Sequence, residues 1–334
     1  MPERRRRRER ARADRILAGL WRLRLPLPWP AVPHVNAFAI AAGDGVVLVD
    51  CGLHQPGGLA QLERALNQAG LRLEHVRLLV CTHAHIDHYG LAAAVIDVSQ
   101  CELWMHPAHA HATVAATDPA ARLKRRIEIA LQSGVPASAL ERYRGQHGDD
   151  DTGVARVVLP DRDLLPGVEV ETDLGSWQVY ETPGHAPSHV VLHQPDRRLL
   201  LSGDHLLGRV SLFFDYDHTP DPVGEFMGSL DTVSDLDVDL ILAGHGRPVR
   251  DAPGLIAANR REVKCGLRRV RSALAEGPRT AYEIAAGLLG VEELNEMQVG
   301  WGLSVALSYL DHLELRGDVR RITAEGALDR WVSA

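Results

Sequence analysis

The stretch Val76–Cys81, followed at once by Thr82-His83-Ala84-His85-Ile86-Asp87-His88-Tyr89-Gly90, constrains this chain more than any other feature. Its first six residues read as a buried strand, and that strand ends abruptly in a loop carrying three imidazoles and a carboxylate. Neutral imidazole and carboxylate are the donors that a borderline cation such as Zn²⁺ accepts. His83 and His85 stand two apart at a strand end and can point to one side of an extended loop. Asp87 and His88 then turn toward an adjacent position, so one loop can serve two neighbouring metals.

More ligand types recur at strand ends downstream. His185 lies in Thr182-Pro183-Gly184-His185, Asp204 in Ser202-Gly203-Asp204-His205, and His245 in Ala243-Gly244-His245-Gly246. Each follows an apolar run, and the flanking glycines let the backbone turn sharply and approach an ion. Other strand-like runs are Asn36–Ile40 and Val46–Asp50, joined across Gly43-Asp44-Gly45, then Cys101–Met105, Val154–Leu159, Val168–Asp173, Trp177–Thr182, His189–His193, Arg198–Ser202 and Val238–Ala243. Gly57 to Ala69 and Leu91–Val95 have helical spacing. Strands with helices between them imply an α/β layered fold with mixed sheets.

Charge divides the chain unevenly. The whole carries a net charge of −7, but ten arginines in residues 1–24 face only Glu3, Glu9 and Asp14. The remainder is strongly acidic, which excludes a globally basic nucleic-acid binder. Residues 1–24 read as an Arg-rich arm, frayed or disordered, and residues 25–252 as the domain that carries the histidine loop. Within that domain, about 106–152 is a helical, charged insertion interrupted by Gly134-Val135-Pro136, of the kind that covers a site. Residues 253–334 hold a long helix (Leu255–Glu276) stopped by Gly277-Pro278. Helices at Ala281–Leu289 and about Glu296–Arg316 follow, then a hairpin of Val319–Thr323 and Leu328–Val332 around Ala324-Glu325-Gly326. Helices followed by a two-stranded wing resemble a winged helix.

Cys51, Cys81, Cys101 and Cys265 are scattered without a CxxC pair, as expected of thiols in a reducing compartment. No apolar run is long enough to span a membrane, and Arg22 and Arg24 cut short any apolar core of a signal peptide. A cytoplasmic protein is expected.

The series His83-x-His85-x-Asp87-His88, then His185, Asp204 and His245, resembles the metallo-β-lactamase superfamily from about Val35 to Asp251. Val49-Asp50-Cys51-Gly52 is similar to that family's Asp-Thr-Gly turn, with Cys51 in place of Thr. The resemblance implies an αββα sandwich, here with a C-terminal winged-helix-like α+β appendage. It implies two divalent metal ions, Zn foremost and Mn or Fe as alternatives. His83, His85 and His185 would hold the first metal, Asp87, His88 and His245 the second, and Asp204 would bridge, with Asp50 orienting ligands. A metal-bridging hydroxide would then attack a carbonyl or phosphoryl centre, Asp87 holding the nucleophile or shuttling its proton.

The expected activity is hydrolysis of a small ester, thioester or lactone. The alternatives are a phosphodiesterase or endoribonuclease of the same fold, a mononuclear iron sulfur dioxygenase, and a non-enzymatic regulator using the wing. Residues 254–334 carry equal numbers of acidic and basic groups, so the appendage is expected to support a homodimer or close the site mouth rather than bind DNA. Phe213, Phe214 and Tyr216 would rim the metals, Tyr216 donating to the developing oxyanion. His189 is expected to orient ligands, and His205 to point away from Asp204. His106, His109 and His111 form a sequence cluster that would have to face together to make a third metal site. Arg122, Lys124, Arg125 and Arg126 are either an anion-binding group or a solvated helix face.

Overall fold

Two sheets lie face to face with helices outside both, an αββα sandwich. The computed structural model describes residues 10–29, 31–146, 152–323 and 328–334. Arg4 to Arg8 of the arm, Pro30, the end of the insertion at 147–151 and the expected turn Ala324-Glu325-Gly326 lie outside the described residues.

The first sheet runs in chain order through β1 (Arg12–Leu17), β2 (Leu20–Pro26), β3 (His34–Ala42), β4 (Gly45–Val49), β5 (Val76–Cys81), β6 (Glu102–Met105) and β7 (Arg162–Asp163). It is antiparallel up to β4 and parallel from β4 to β7. The second sheet holds β8 (Glu169–Thr172), β9 (Gly175–Glu181), β10 (Val190–Gln194), β11 (Leu199–Gly203) and β12 (Leu240–Ala243), in the order β12-β11-β10-β9-β8. Both faces of the central strands are buried, which explains their unbroken apolar runs. Phe38, Ile40, Val47, Val49 and Val80 point inward against Trp177, Val179, Val190, Leu192 and Leu201. The alternate residues Ala37, Leu48 and Leu79 point outward, packing with α1 (Gly58–Gln68) and α3 (Ala92–Ser99), which flank the single turn α2 (Ile86–Tyr89).

The second sheet's outer face is covered differently. Val191, Leu200 and Ile241 share one continuous core with α7 (Pro222–Ser234), with the C-terminal helices α8 (Ala252–Ala275), α9 (Ala281–Leu289) and α10 (Glu296–Leu315), and with part of the insertion. The insertion folds as α4 (Ala110–Thr117), α5 (Pro119–Gln132) and α6 (Ala137–Gln146). Its Ala130, Val135 and Tyr143 join that core, and Tyr282 N–H donates to Ser133 O at 3.0 Å. The C-terminal strands β13 (Val319–Ile322) and β14 (Arg330–Ser333) pair antiparallel.

Two expectations need correction. Residues 12–26 are not a frayed arm but a β hairpin on the first sheet. The Arg22/Leu23/Arg24/Leu25 alternation is a strand period rather than an interrupted apolar run: Leu23 and Leu25 are buried, and Arg22 pairs with Asp14 at 2.6 Å. Val154–Leu159 forms no strand. The Tyr89 hydroxyl takes the place of a neighbouring strand, donating to Val158 O and accepting from Val158 N, each at 2.6 Å.

Helix α10 also carries Asp311 into a half-buried setting. Burial raises its carboxyl to about 6, with Arg321 opposing and Glu314, Asp217 and Asp221 adding to the rise. The unfolded group titrates near 3.8, so the folded state binds the proton more tightly. The group's stability contribution is therefore full below about pH 4 and is lost as pH rises through about 6. Asp311→Asn is expected to raise stability by about 1–2 kcal/mol at about pH 7.5 and to give no advantage at about pH 3.5. Thermal melts at the two pH values check this.

Candidate metal centre

Every candidate ligand sits just beyond a strand end on one edge of the sandwich. β5 leads into His83, His85, Asp87 and His88; β9 into His185; β11 into Asp204; β12 into His245. The two sheets are tied together at this edge, where Val190 N–H donates to Thr82 O at 2.8 Å and Asn36 N–H to Gly244 O at 2.7 Å. These bonds hold the loops bearing His83 and His245 in register with the opposite sheet.

The seven residues form two adjoining groups. His83 Nε2 and His185 Nε2 lie 3.0 and 3.1 Å from His85 Nδ1. His245 Nε2 lies 3.3 Å from Asp87 Oδ2, and His88 Nε2 lies 3.8 Å from the same oxygen. Asp204 stands between the groups. Its Oδ1 is 3.4 Å from His88 Nε2, and its Oδ2 is 3.1 Å from His245 Nε2 and 3.8 Å from His185 Nε2.

The far nitrogen of four rings is anchored, and this assigns their tautomers. His83 Nδ1 meets the Thr82 hydroxyl at 3.1 Å, a hydroxyl that itself donates to Asp50. His85 Nε2 faces Asp215 Oδ2 at 3.3 Å. His88 Nδ1 donates to Asp50 Oδ2 at 2.8 Å, and His245 Nδ1 to His34 O at 2.8 Å. In His83 and His85 the remaining nitrogen presents a lone pair to the cluster, and in His88 and His245 it faces the carboxylates of Asp87 and Asp204. Two such lone pairs 3.0 Å apart, on His83 and His85, repel unless a cation lies between them. His88 Nε2 and Asp204 Oδ1 are buried without a hydrogen-bond partner. The donor set thus fits divalent metal, with nitrogen and carboxylate ligands close at hand.

The electrostatics of the two groups differ. Burial pushes His83 well below the usual imidazole range, the surrounding rings adding to it, and drives His185 down to about 3. Burial acts the same way on His88 and His245, but there the carboxylates prevail. Asp204, Asp87 and Asp50 hold His88 well above its ordinary value, and Asp204 and Asp87 lift His245 to about 10. Against its own burial, Asp204 is held well below the carboxylate range by His245 and His88. His83 and His185 are thus neutral nitrogens, and His88 and His245 form with Asp87 and Asp204 an acid–base set whose protons a metal would displace.

Asp50 adopts φ 61° and accepts from Thr82 N at 2.8 Å as well as from His88. His189 bonds Thr182 Oγ1 at 2.8 Å and accepts from Asp204 N at 3.0 Å, so it orients the Asp204 backbone. His205 turns toward Phe226, with ring centroids 4.8 Å apart. Of the expected aromatic rim, Phe213 is in place, edge-on to His85 and His185 at 5.8 and 5.6 Å. Phe214 is instead buried against Phe226 and Tyr309. Tyr216 is also elsewhere: it packs on the C-terminal core, and the charges acting on its phenol are Asp311, Arg321 and Asp217. No member of the metal cluster is among them.

The His106, His109 and His111 trio is split. His106 bonds Glu181, His109 bonds Thr113, and His111 bonds Asp215 and Ser188. Arg125 is engaged by Asp217 through two 2.8 Å bonds, and Lys124 is exposed. Arg126 reaches Tyr143 at 3.4 Å, while burial lowers Arg122 to about 10. Asp215 gives no signal in the sequence, where it is one acid in an irregular aromatic stretch with no strand before it.

A sequence model of the Metallo-beta-lactamase superfamily matches residues 31–245. The probable metallo-hydrolase YqjP of Bacillus subtilis is 26% identical over 312 residues, which span 87% of this chain and 91% of that protein. The beta-lactamase-like protein 2 homolog of Caenorhabditis elegans is 26% identical over 216 residues, 65% of this chain and 57% of its own length. A metallo-beta-lactamase family protein from Thermus thermophilus superposes with a TM-score of 0.81 at 26% identity, covering 96% of this chain and 100% of that one. A beta-lactamase domain protein from Burkholderia ambifaria gives a TM-score of 0.81 at 27% identity, over 96% and 93% of the two chains.

Close backbone approach is part of the site. A Cβ on Gly244 would stand 2.2 Å from Asp204 Oδ1 and 2.7 Å from His88 Cε1. Gly244→Ala is therefore expected to weaken metal binding by about 10–100-fold with the secondary structure intact. Competition against a chelating dye, alongside circular dichroism, measures both.

Proposed function

The chain belongs to the metallo-β-lactamase superfamily, and from that membership we propose a dinuclear metal-dependent hydrolase of small esters, thioesters or lactones. The observation that carries the reading is the anchoring of four imidazoles by their far nitrogens, which turns their other nitrogens toward the cluster around Asp204. His83, His85 and His185 would hold one ion, and Asp87, His88 and His245 the other, with Asp204 between them. Zinc suits this nitrogen-rich set best, and manganese and iron share the donor preference.

Divalent ions held there would supply Lewis acidity, lowering the pKa of water to about 7 and polarising a carbonyl oxygen. The chain's own groups do the rest. Asp87, buried at the cluster, is the carboxylate to hold the attacking water's proton and pass it to the leaving group. Asp50 and Asp215 keep His88 and His85 in the ligating orientation. Phe213 supplies an apolar wall that limits water around the reacting centre. No side-chain nucleophile is needed: Cys51 is buried, with its thiol donating to His88 O at 3.2 Å.

A small substrate is favoured over a nucleic acid by the acidic charge beyond the first 24 residues and by the neutral C-terminal region. The phosphodiesterase alternative would draw on the cations of α5, of which Arg125 is already paired with Asp217.

Protein purified without added metal is expected to carry about two equivalents of zinc or manganese by elemental mass spectrometry. About one equivalent of iron would overturn the dinuclear reading and bring the dioxygenase alternative forward, to be tested by oxygen consumption on persulfides. Hydrolysis of a panel of thioesters and lactones is expected to exceed that of phosphodiesters and RNA at matched concentration. In Asp87→Ala and His245→Ala, turnover is expected to fall by about 100-fold or more.

A further inference from the structure

Asp215 lies outside the ligand series, on the irregular segment between β11 and α7, yet its carboxylate faces a candidate ligand from behind. His85 Nδ1 points into the cluster, toward His83 and His185 at 3.0 and 3.1 Å. That leaves Nε2–H to donate to Asp215 Oδ2 at 3.3 Å. The same oxygen receives His111 Nδ1–H from the insertion helix α4 at 2.7 Å.

The other partners of His111 settle its tautomer. Ala84 N–H donates to Ser188 Oγ at 3.1 Å, so the Ser188 hydroxyl is free to donate to His111 Nε2 at 2.8 Å. His111 Nε2 is thus an acceptor and Nδ1 a donor. The chain of bonds closes without a conflict: Ala84 to Ser188, Ser188 to His111, His111 to Asp215, and His85 to Asp215. Four separate segments meet in it, and two donors on one oxygen fix the rotation of the carboxylate.

The C-terminal helix holds the segment that carries Asp215. Ser304 on α10 donates its hydroxyl to Phe214 O at 2.6 Å and accepts Tyr216 N–H at 3.2 Å, bracketing Asp215 on both sides. Asp215 N–H donates to His185 O at 3.2 Å, so the bracket is also tied to a second candidate ligand. Further along, His312 on α10 bonds the Asp221 carboxylate at 2.8 Å.

We infer that Asp215 is a positioning residue for His85, and that α10, through Ser304, holds it in place, so that the C-terminal region and the insertion both act on the metal centre. This rests on the metal reading proposed above. A carboxylate behind a ligating imidazole fixes the ring's tautomer and raises its basicity, and removing one costs about 10–100-fold in metal affinity.

The test compares the full-length wild type with Asp215→Ala, Asp215→Asn, His111→Ala and Ser304→Ala. Zn²⁺ affinity is measured by chelator competition, the visible spectrum with Co²⁺ in place of zinc, and the melting temperature of the metal-free forms. In Asp215→Ala one ion is expected to bind about 10–100-fold more weakly with an altered Co²⁺ spectrum, while the second ion and the metal-free melting temperature change little. Asp215→Asn retains an acceptor oxygen and should fall between, and His111→Ala and Ser304→Ala should shift the same ion by less. Wild-type affinity and spectrum in Asp215→Ala would overturn the inference, as would metal loss matched by collapse of the metal-free fold. A wild type that binds no ion would sink the metal reading itself, an outcome distinct from two ions held equally by wild type and Asp215→Ala.

Discussion

Lone-pair nitrogens on His83 and His85 stand 3.0 Å apart, an arrangement that is repulsive in the absence of a cation. The surroundings are built to maintain it. Thr82, Asp50, Asp215 and the His34 carbonyl each engage a far ring nitrogen, so rotating any of these rings breaks a hydrogen bond. Asp50 does the most with one carboxylate: it accepts from Thr82 N, the Thr82 hydroxyl and His88 Nδ1. Its positive φ places the carboxylate under the loop and is held by those bonds.

The rest of the fold supplies rigidity to that edge. Fully buried strands with apolar residues on both faces cannot shift register without moving every side chain to the wrong layer. The C-terminal helices and the insertion then share one core over the second sheet. Through that core the segment between β11 and α7 acquires a fixed course, because α10 meets its backbone at Phe214 and Tyr216. A region that looks like an appendage in the sequence is therefore structurally continuous with the site edge.

Legibility follows periodicity. The strands leading into His83, Asp204 and His245 are readable because each is a short apolar run ended by a glycine or a histidine. The N-terminal hairpin is hidden because arginine density masks a two-residue alternation whose charges pair across strands, Arg22 with Asp14. Val154–Leu159 has strand composition, but the Val158 backbone bonds go to Tyr89, a partner 69 residues away. Tyr216 and Asp215 exchange importance for a simpler reason. In an irregular segment no period tells which side chain points toward the metals and which toward the helix behind.

Sequence alone determined an α/β layering of mixed sheets with histidine and aspartate donors at strand ends, since local rules govern both, and the αββα order and the seven-ligand set are what the resemblance to the metallo-β-lactamase superfamily implies. Asp50 and His189 were expected to orient ligands, but only the tertiary structure decided that Asp215, the Thr82 hydroxyl and the His34 carbonyl stand behind His85, His83 and His245. Asp215 and His111 are 104 residues apart, and their pairing comes from packing of the insertion and of α10 against the second sheet. Long-range packing of irregular segments leaves no periodic trace in the chain, whereas the alternation of buried strands does.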